Sequence, residues 1–370
     1  MQPLIKWPGG KNSEFQIINN YLPKNYSRYI EPFFGGGAVF FNLPPQSAII
    51  NDISENLINF YSLVKEGNEC FRNYLYAICD EWCSLKTLAL NYCKDIINLF
   101  VLCRTSDIKK KELIDILKNI CTNICNVLAK NSSIIISTEK LNKEMQRMVI
   151  DKVLRTLKNE VKNKSLLTEE DLSNNILTGF TSGYYMYIRQ TFNDIEINKI
   201  NSISLEYKIA LFYFVREFCY GSMFRYNKLG EFNIPYGGIA YNNKDFLKKI
   251  NALFSETTKK YFYNTLIYNE DFEKIIDMGN ENDFIFLDPP YDTKFSEYEN
   301  RIFNELDQRR LEHKIRTSKS KVMLVIKNSP LILSLYSSKN YNIYTFDNKY
   351  SYCVKGRNDR KAMHLIITNY

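Results

Sequence analysis

Histidine is nearly absent: the 370-residue chain contains two, His313 and His364, and its nine cysteines form no C-x-x-C. A zinc centre of imidazole and thiolate ligands therefore has little to draw on, and no metal is expected. Seven cysteines fall between Cys70 and Cys125, where the i,i+4 pairs Cys79/Cys83 and Cys121/Cys125 read as small apolar residues on helical faces. An odd total without a short secreted framework points to reduced thiols. No apolar run approaches the ~20 residues that cross a bilayer. The start, Met1-Gln2-Pro3-Leu4-Ile5-Lys6-Trp7, lacks the apolar core of a signal peptide. These absences predict a cytoplasmic protein with no membrane partner. There is no internal repeat, and no full G-x-G-x-x-G follows the first strand-like segment, so the fingerprint of a dinucleotide site is missing.

What is present suits a globular chain of one enlarged domain or two. Hydrophobic residues make up 45% and charged residues 24%, which excludes wholesale disorder. A formal charge of +8 favours a polyanionic partner, although solubility alone also accounts for such an excess. Arg28 to Phe33 and Ala48 to Ile50 read as strands followed by turns and helical pattern, the grammar of βαβ units. Phe284 to Leu287 and Val322 to Ile326 are continuous apolar runs, as strands buried on both faces require. Both ends of the chain thus predict a parallel sheet. Between residues 80 and 180 the periodicity is helical: Leu113, Ile116, Leu117, Ile120, Ile124 and Val127 form one stripe, and Val149, Val153, Leu157 and Val161 another. Lys143, Arg147, Lys152, Arg155, Lys158 and Lys162 lie largely off the second stripe, as a solvated face or a phosphate-contacting one. Residues 159–175, rich in Asn and Lys, are expected to hold a loop.

The chemistry concentrates at Asp288-Pro289-Pro290-Tyr291, directly after the apolar run 284–287. A buried strand there would deliver a rigid loop to the sheet edge, with the Asp288 carboxylate and the Pro289 carbonyl held as two acceptors in a fixed relation. Two such acceptors suit an exocyclic amine, drawing its nitrogen toward tetrahedral geometry and aiming its lone pair at an electrophile, while Tyr291 stacks on the ring. An ordinary acidic turn is the plain alternative. Other segments could complete a site. Glu31-Pro32-Phe33-Phe34-Gly35-Gly36-Gly37 would let backbone approach a ligand, and Asp52 ends the second strand, where an acid can accept from ribose hydroxyls. Lys6-Trp7-Pro8-Gly9-Gly10-Lys11 brings an indole to cover a ligand and a cation to meet its carboxylate. Residues 224–238 mix Arg, Asn and aromatics about a Gly turn, a hairpin able to read bases in the major groove or a merely structural one.

In this order, the segments 6–11, 31–37, 51–52, 225–237 and 288–291 resemble the Dam-like family of S-adenosylmethionine-dependent adenine-N6 DNA methyltransferases, with residues 357–361 similar to a C-terminal family segment. The resemblance implies an α/β fold: a doubly wound, Rossmann-like methyltransferase sheet with an inserted, mostly helical subdomain and a target-recognition hairpin. Residues 1–78 and 265–370 would form the catalytic and cofactor-binding core, 79–180 a helical insertion of unassigned role, and 181–264 the DNA-binding region. Trp7, Lys11, Phe33, Gly35, Gly37, Asp52 and Asp288 would bind S-adenosyl-L-methionine. Asp288, Pro289, Pro290 and Tyr291 would hold an adenine flipped out of double-stranded DNA. Lys6, Arg225, Tyr226, Asn227, Asn233 and Pro235 would contact DNA. No metal is required, because a sulfonium is already a good leaving group. The residues flanking the hairpin, Gly221-Ser222-Met223 and Gly238-Ile239, differ from those of Dam enzymes that read GATC, so GATC is not implied. Methylation of RNA or of a protein amide, or a noncatalytic DNA-binding module on the same fold, stays open at this point. The insertion also leaves room for a protein partner such as a restriction nuclease.

Overall fold

The computed structural model describes residues 1–221, 225–290, 297–298, 301–349 and 361–370. Its strands are β1 (Arg28–Glu31), β2 (Ala48–Asn51), β3 (Thr265–Tyr268), β4 (Asp283–Leu287), the two-residue β5 (Glu297–Tyr298) and β6 (Arg301–Ile302), β7 (Lys321–Lys327), β8 (Asn342–Lys349) and β9 (Lys361–Thr368). β5 and β6 pair with each other alone; the others form one sheet in the order β3-β2-β1-β4-β7-β9-β8. The first five are mutually parallel, with Ile30 opposite both Ile49 and Ile285 and with Phe286 opposite Met323. β2 and β4 are buried throughout, which is why their sequences are unbroken apolar runs rather than alternating ones.

The sheet departs from the all-parallel expectation at one edge. β9 runs antiparallel to β7, and β8 antiparallel to β9. In β8 the adjacent Ile343 and Tyr344 are both partly exposed, as suits an edge strand. The core beneath the sheet includes Ile30, Ile49, Ile285, Leu287, Leu324 and Ile326, packed with Ile275, Leu311 and Ile315 from neighbouring helices.

The chain divides into two compact units: residues 1–67, 221–226 and 252–370 form the one that carries the sheet, and residues 68–220 and 227–251 form the other. These boundaries differ from the segments expected from sequence, because the helix Glu169–Glu196 runs unbroken across residue 180 and the helix Glu69–Thr105 begins well before residue 79. The second unit is built on Glu69–Thr105, Lys110–Ala129, Thr138–Asn163, Glu169–Glu196 and Leu205–Phe218. Side chains of Asn68, Ser137, Thr168 and Ser204 cap four of these helices by accepting from backbone N–H groups in the first turn. Leu113, Leu117, Ile120 and Ile124 are buried as their spacing predicts, whereas Val127 is exposed. Val149, Val153 and Leu157 are buried, but Val161, one turn farther on, is 78% exposed. Helices Thr138–Asn163 and Glu169–Glu196 approach closely where a Cβ on Gly183 would lie 2.8 Å from Met145 Cα. Lys143, Arg147, Arg155, Lys158 and Lys162 are exposed and Lys152 half-buried. The loop expected in 159–175 occupies 164–168. Among the described residues no helix is long and apolar enough to cross a membrane, and no group of three or more His, Cys, Asp or Glu is placed to hold a metal ion.

Two substitutions check the sheet. Ile285→Ala, in the fully buried β4, is expected to cost ~2–5 kcal/mol in urea unfolding, and Leu266→Ala, half exposed on the edge strand β3, under ~1 kcal/mol. Equal losses would contradict the burial order of the strands.

Candidate active site

Parallel strands deliver their following loops to one edge of a sheet, and the order of this sheet reverses between β1 and β4. From β1 the chain proceeds outward to β2 and β3, and from β4 in the other direction to β7. A crevice therefore opens past the carboxyl ends of β1 and β4, the place where open α/β sheets take ligands. Residues 31–37 follow β1 and residues 288–290 follow β4. A cavity of about 110 Å3 lies there, lined by Trp7, Lys11, Glu31, Phe33, Asp52 and Asp288 together with the three successive glycines at 35–37.

Buried hydrogen bonds fix the strand-end loops to one another. Asn51, 1% exposed, donates from Nδ2 to the carbonyls of Pro32 at 2.9 Å and Glu270 at 3.0 Å, and its Oδ1 accepts from Glu270 N at 2.8 Å. Its own carbonyl accepts from Phe34 N at 2.8 Å. One asparagine thus joins the loops after β1, β2 and β3. Asp52 next to it accepts from Gly35 N at 2.8 Å and from Ser54 N at 3.0 Å. Tyr61 on the helix Glu55–Glu66 donates to the Gly35 carbonyl at 3.0 Å. Gly35, at φ +50°, lies against Trp7: a Cβ there would be 2.9 Å from the indole Cδ1. The indole and the glycine turn form one wall.

The lining also carries charge. Lys11, 3% exposed, donates from Nζ to Asp288 Oδ2 at 2.5 Å and to the Gly9 carbonyl at 2.8 Å. Gln308, buried on the helix Glu305–Thr317, donates to the Pro290 carbonyl at 3.2 Å and fixes the loop after β4. Burial raises the Asp288 carboxyl above its ordinary value, against the pull of the Lys11 ammonium. Burial also lifts Asp52 to about 6, opposed by the N–H groups of Ser54 and Gly35. Glu31 is raised well above the carboxylate range by burial, with Asp288 and Asp52 adding to the shift while the Tyr29 hydroxyl, 2.8 Å away, opposes it.

A second cavity of about 180 Å3 shares Phe33, Ile53 and Pro290 with the first. Its other lining includes Asp271, Phe272, Phe303 and Arg310. Phe33 meets Phe272 and Phe303 with ring centroids 5.3 and 5.7 Å apart. Arg310 lies over the Phe272 ring and bonds Asp271, Glu273 and Asp307 at 2.8 to 2.9 Å. An aromatic slot with a carboxylate at its side continues from a cavity with a charged end. Sequence reasoning missed this half, although Glu270-Asp271-Phe272 follows β3 as Asp52 follows β2. Gln308 and Tyr61 carried no sequence signal, since they act only across the fold.

The expected site residues Trp7, Lys11, Phe33, Gly35, Gly37, Asp52, Asp288, Pro289 and Pro290 all line the first cavity. Tyr291 and the segment 350–360 lie outside the described residues. Lys6 is half-buried and does not line the cavity. In the hairpin segment, Arg225 and Pro235 are exposed, and Tyr226 and Asn233 are half-buried. Asn227 serves the turn itself: its Oδ1 accepts from Leu229 N at 2.9 Å and Glu231 N at 3.0 Å, and its Nδ2 donates to Glu231 Oε2 at 2.7 Å.

A sequence profile of the D12 class N6 adenine-specific DNA methyltransferases matches residues 7–89 and 106–352. Relatives over the whole chain include a type II methyltransferase of Lactococcus lactis subsp. cremoris, 25% identical with 96% of that protein covered. Another, of Paramecium bursaria Chlorella virus NC1A, is 24% identical with all of it covered. A third, of Methanocaldococcus jannaschii, is 26% identical over 95% of this chain and 88% of its own length. The family match runs through the helical unit on both sides of residues 90–105.

The Trp7 wall has a direct check. Gly67, at φ +64° with nothing within 4 Å of an added Cβ, isolates the backbone cost of alanine, ~1–2 kcal/mol. Gly35→Ala must exceed Gly67→Ala in thermal or urea unfolding, because it also displaces the indole. Equal costs would contradict the packing of Trp7 on Gly35.

Proposed function

The chain belongs to the D12 class of N6 adenine-specific DNA methyltransferases, and from that premise we propose that the two joined cavities bind S-adenosyl-L-methionine and that the loop after β4 holds the target adenine. The protein methylates adenine in DNA site-specifically; the residue roles below are our reading. The observation that carries it is the position of the Lys11–Asp288 pair at the strand switch point, on the wall of a cavity that continues into an aromatic slot.

The donor set fits the cofactor. An ammonium beside a carboxylate complements the zwitterionic amino-acid end, the Asp52 carboxylate suits ribose hydroxyls, and the slot of Phe33, Phe272 and Phe303 suits a planar adenine. When bound, the cofactor supplies a methyl group on a sulfonium, which leaves readily. The protein's work is then alignment. Asp288 Oδ2 is held by Lys11, leaving Oδ1 and the Pro289 carbonyl to accept from the exocyclic amine of a flipped adenine. Two acceptors aim the nitrogen lone pair, and Asp288 Oδ1 takes the proton that the methylated amine gives up. Gln308 keeps the loop from yielding as the base enters. Arg225, Tyr226, Asn233, Pro235 and Lys6 contact double-stranded DNA, and Asn227 shapes the turn at residues 227–231. A DNA substrate supports our reading of the enzyme as cytoplasmic.

In radiolabelled methyl transfer, Asp288→Asn is expected to lower kcat at least ~100-fold on DNA that the wild type labels in adenine, with an unchanged fold by circular dichroism. Full activity would sink the assignment. Cofactor affinity should also fall with acidity. If the ionised Asp52 binds the ribose, a carboxyl near pH 6 is about one-tenth ionised at pH 5, so titration should find ~10-fold weaker binding there than at pH 8. A flat profile over that range would rule out a required Asp52 carboxylate.

A further inference from the structure

The segment 232–237 uses both edges of its backbone. On one, backbone meets backbone: Tyr220 N donates to the Pro235 carbonyl at 2.8 Å, Gly237 N donates to the Phe218 carbonyl at 2.9 Å, and Cys219 bridges Tyr236 in antiparallel sense. The other edge is met by side chains of the helix Glu169–Glu196. Asn193 makes a two-way contact, donating from Nδ2 to the Phe232 carbonyl and accepting at Oδ1 from Phe232 N, both at 2.9 Å. The Tyr185 hydroxyl and Arg189 Nη1 both donate to the Ile234 carbonyl at 3.0 Å. Farther along, the Tyr236 hydroxyl and Thr181 Oγ1 meet on Asn242 Oδ1, each at 2.9 Å, and Asn242 Nδ2 reaches Thr178 Oγ1 at 2.9 Å.

Residues 181, 185, 189 and 193 recur at four-residue spacing, one face of a helix, while 232, 234 and 236 recur at two, one side of a strand. The helix thus stands in for a neighbouring strand. An amide side chain is the one that can do this at Phe232, because it presents a donor and an acceptor together, as a peptide group does. The contact is dry: Asn193 and Phe232 are each 2% exposed. It also fixes which residues face outward. With Phe232, Ile234 and Tyr236 turned in, Asn233 and Pro235 are turned out, and Pro235 is exposed. A one-residue slip would exchange the two sets.

We propose that Asn193 is a positioning residue for target recognition: by copying a peptide group it sets the register of segment 232–236, and so decides which side chains read the DNA. This gives the helical unit a role in specificity rather than in chemistry. It rests on the reading of the hairpin as the DNA-reading element. Asn193 touches neither cofactor nor base in this account, and acts through the Phe232 backbone.

The test needs the recognised sequence, obtained by mapping N6-methyladenine in DNA from a host that makes the wild-type protein. Asn193→Asp keeps the shape and the acceptor but loses the donor to the Phe232 carbonyl; Tyr185→Phe removes one donor to Ile234 with little change in bulk. Each is assayed on a duplex with the mapped site and on duplexes with one base pair changed, with cofactor KM and melting temperature measured alongside. One base pair is worth roughly 5- to 150-fold in discrimination. Asn193→Asp is expected to lower the ratio of kcat/KM between correct and altered sites at least ~10-fold, through KM for DNA, with cofactor KM within ~2-fold; Tyr185→Phe should shift the ratio the same way by less. A lower melting temperature with unchanged discrimination in both variants would overturn the proposal and leave Asn193 a structural residue. Wild-type protein that labels no DNA adenine would overturn the underlying reading instead.

Discussion

The parallel pairing of β1 with β4 is the constraint on which the sheet-bearing unit depends. These strands are adjacent in space yet more than two hundred and fifty residues apart in sequence, with Ile30 set against Ile285. Because the chain leaves them in opposite directions, the loops that follow diverge and open a crevice at their carboxyl ends. Glu31 and Asp288 line one cavity for that reason. The fully buried runs of β2 and β4 hold the crevice rigid, and Asn51 joins the loops after β1, β2 and β3 on one side of it.

A rigid crevice can collect charge that a flexible one would release to water. Asp52 and Asp288 are both raised by burial, and Glu31 more so. A carboxyl that binds its proton more tightly folded than unfolded contributes its stability at low pH and loses it as pH rises through the folded value, for Asp52 about 6. At neutral pH the site is therefore costly to the fold, and Lys11 offsets part of that cost at Asp288. The cost has a use. Fixed, poorly hydrated acceptors need no rearrangement when a donor arrives, which is the condition for holding an amine in a reactive orientation.

How much of this was legible in the sequence follows from the range of each interaction. Asp288 and Asp52 were readable because each ends an apolar run, and a strand end is a local signal. The family resemblance put Lys11 and Asp288 in one cofactor site, but their ion pair had no sequence signal, since nothing in either segment alone names the other. Asp271 and Phe272 carried the same strand-end signal after β3, but Thr265-Leu266-Ile267-Tyr268 is short and partly exposed, as edge strands are, and was passed over. Gln308, Tyr61 and Asn193 act by donating to backbone carbonyls far away in the chain, and a polar residue on a helix gives no hint of that. Asn227 was expected to meet DNA, whereas three hydrogen bonds tie its amide to its own turn. The boundary expected at residue 180 falls inside the continuous helix Glu169–Glu196, all of which belongs to the second unit.

The central claim is that adenine N6 is methylated at the pocket formed by Asp288 and its neighbours, at a site fixed by sequence. Single-molecule sequencing of chromosomal DNA from a host making either the wild-type protein or the Asp288→Asn variant tests it most directly. N6-methyladenine is expected to be confined to one short motif with the wild type and absent above background with the variant. Methylation of the same motif to the same extent in both hosts would contradict it.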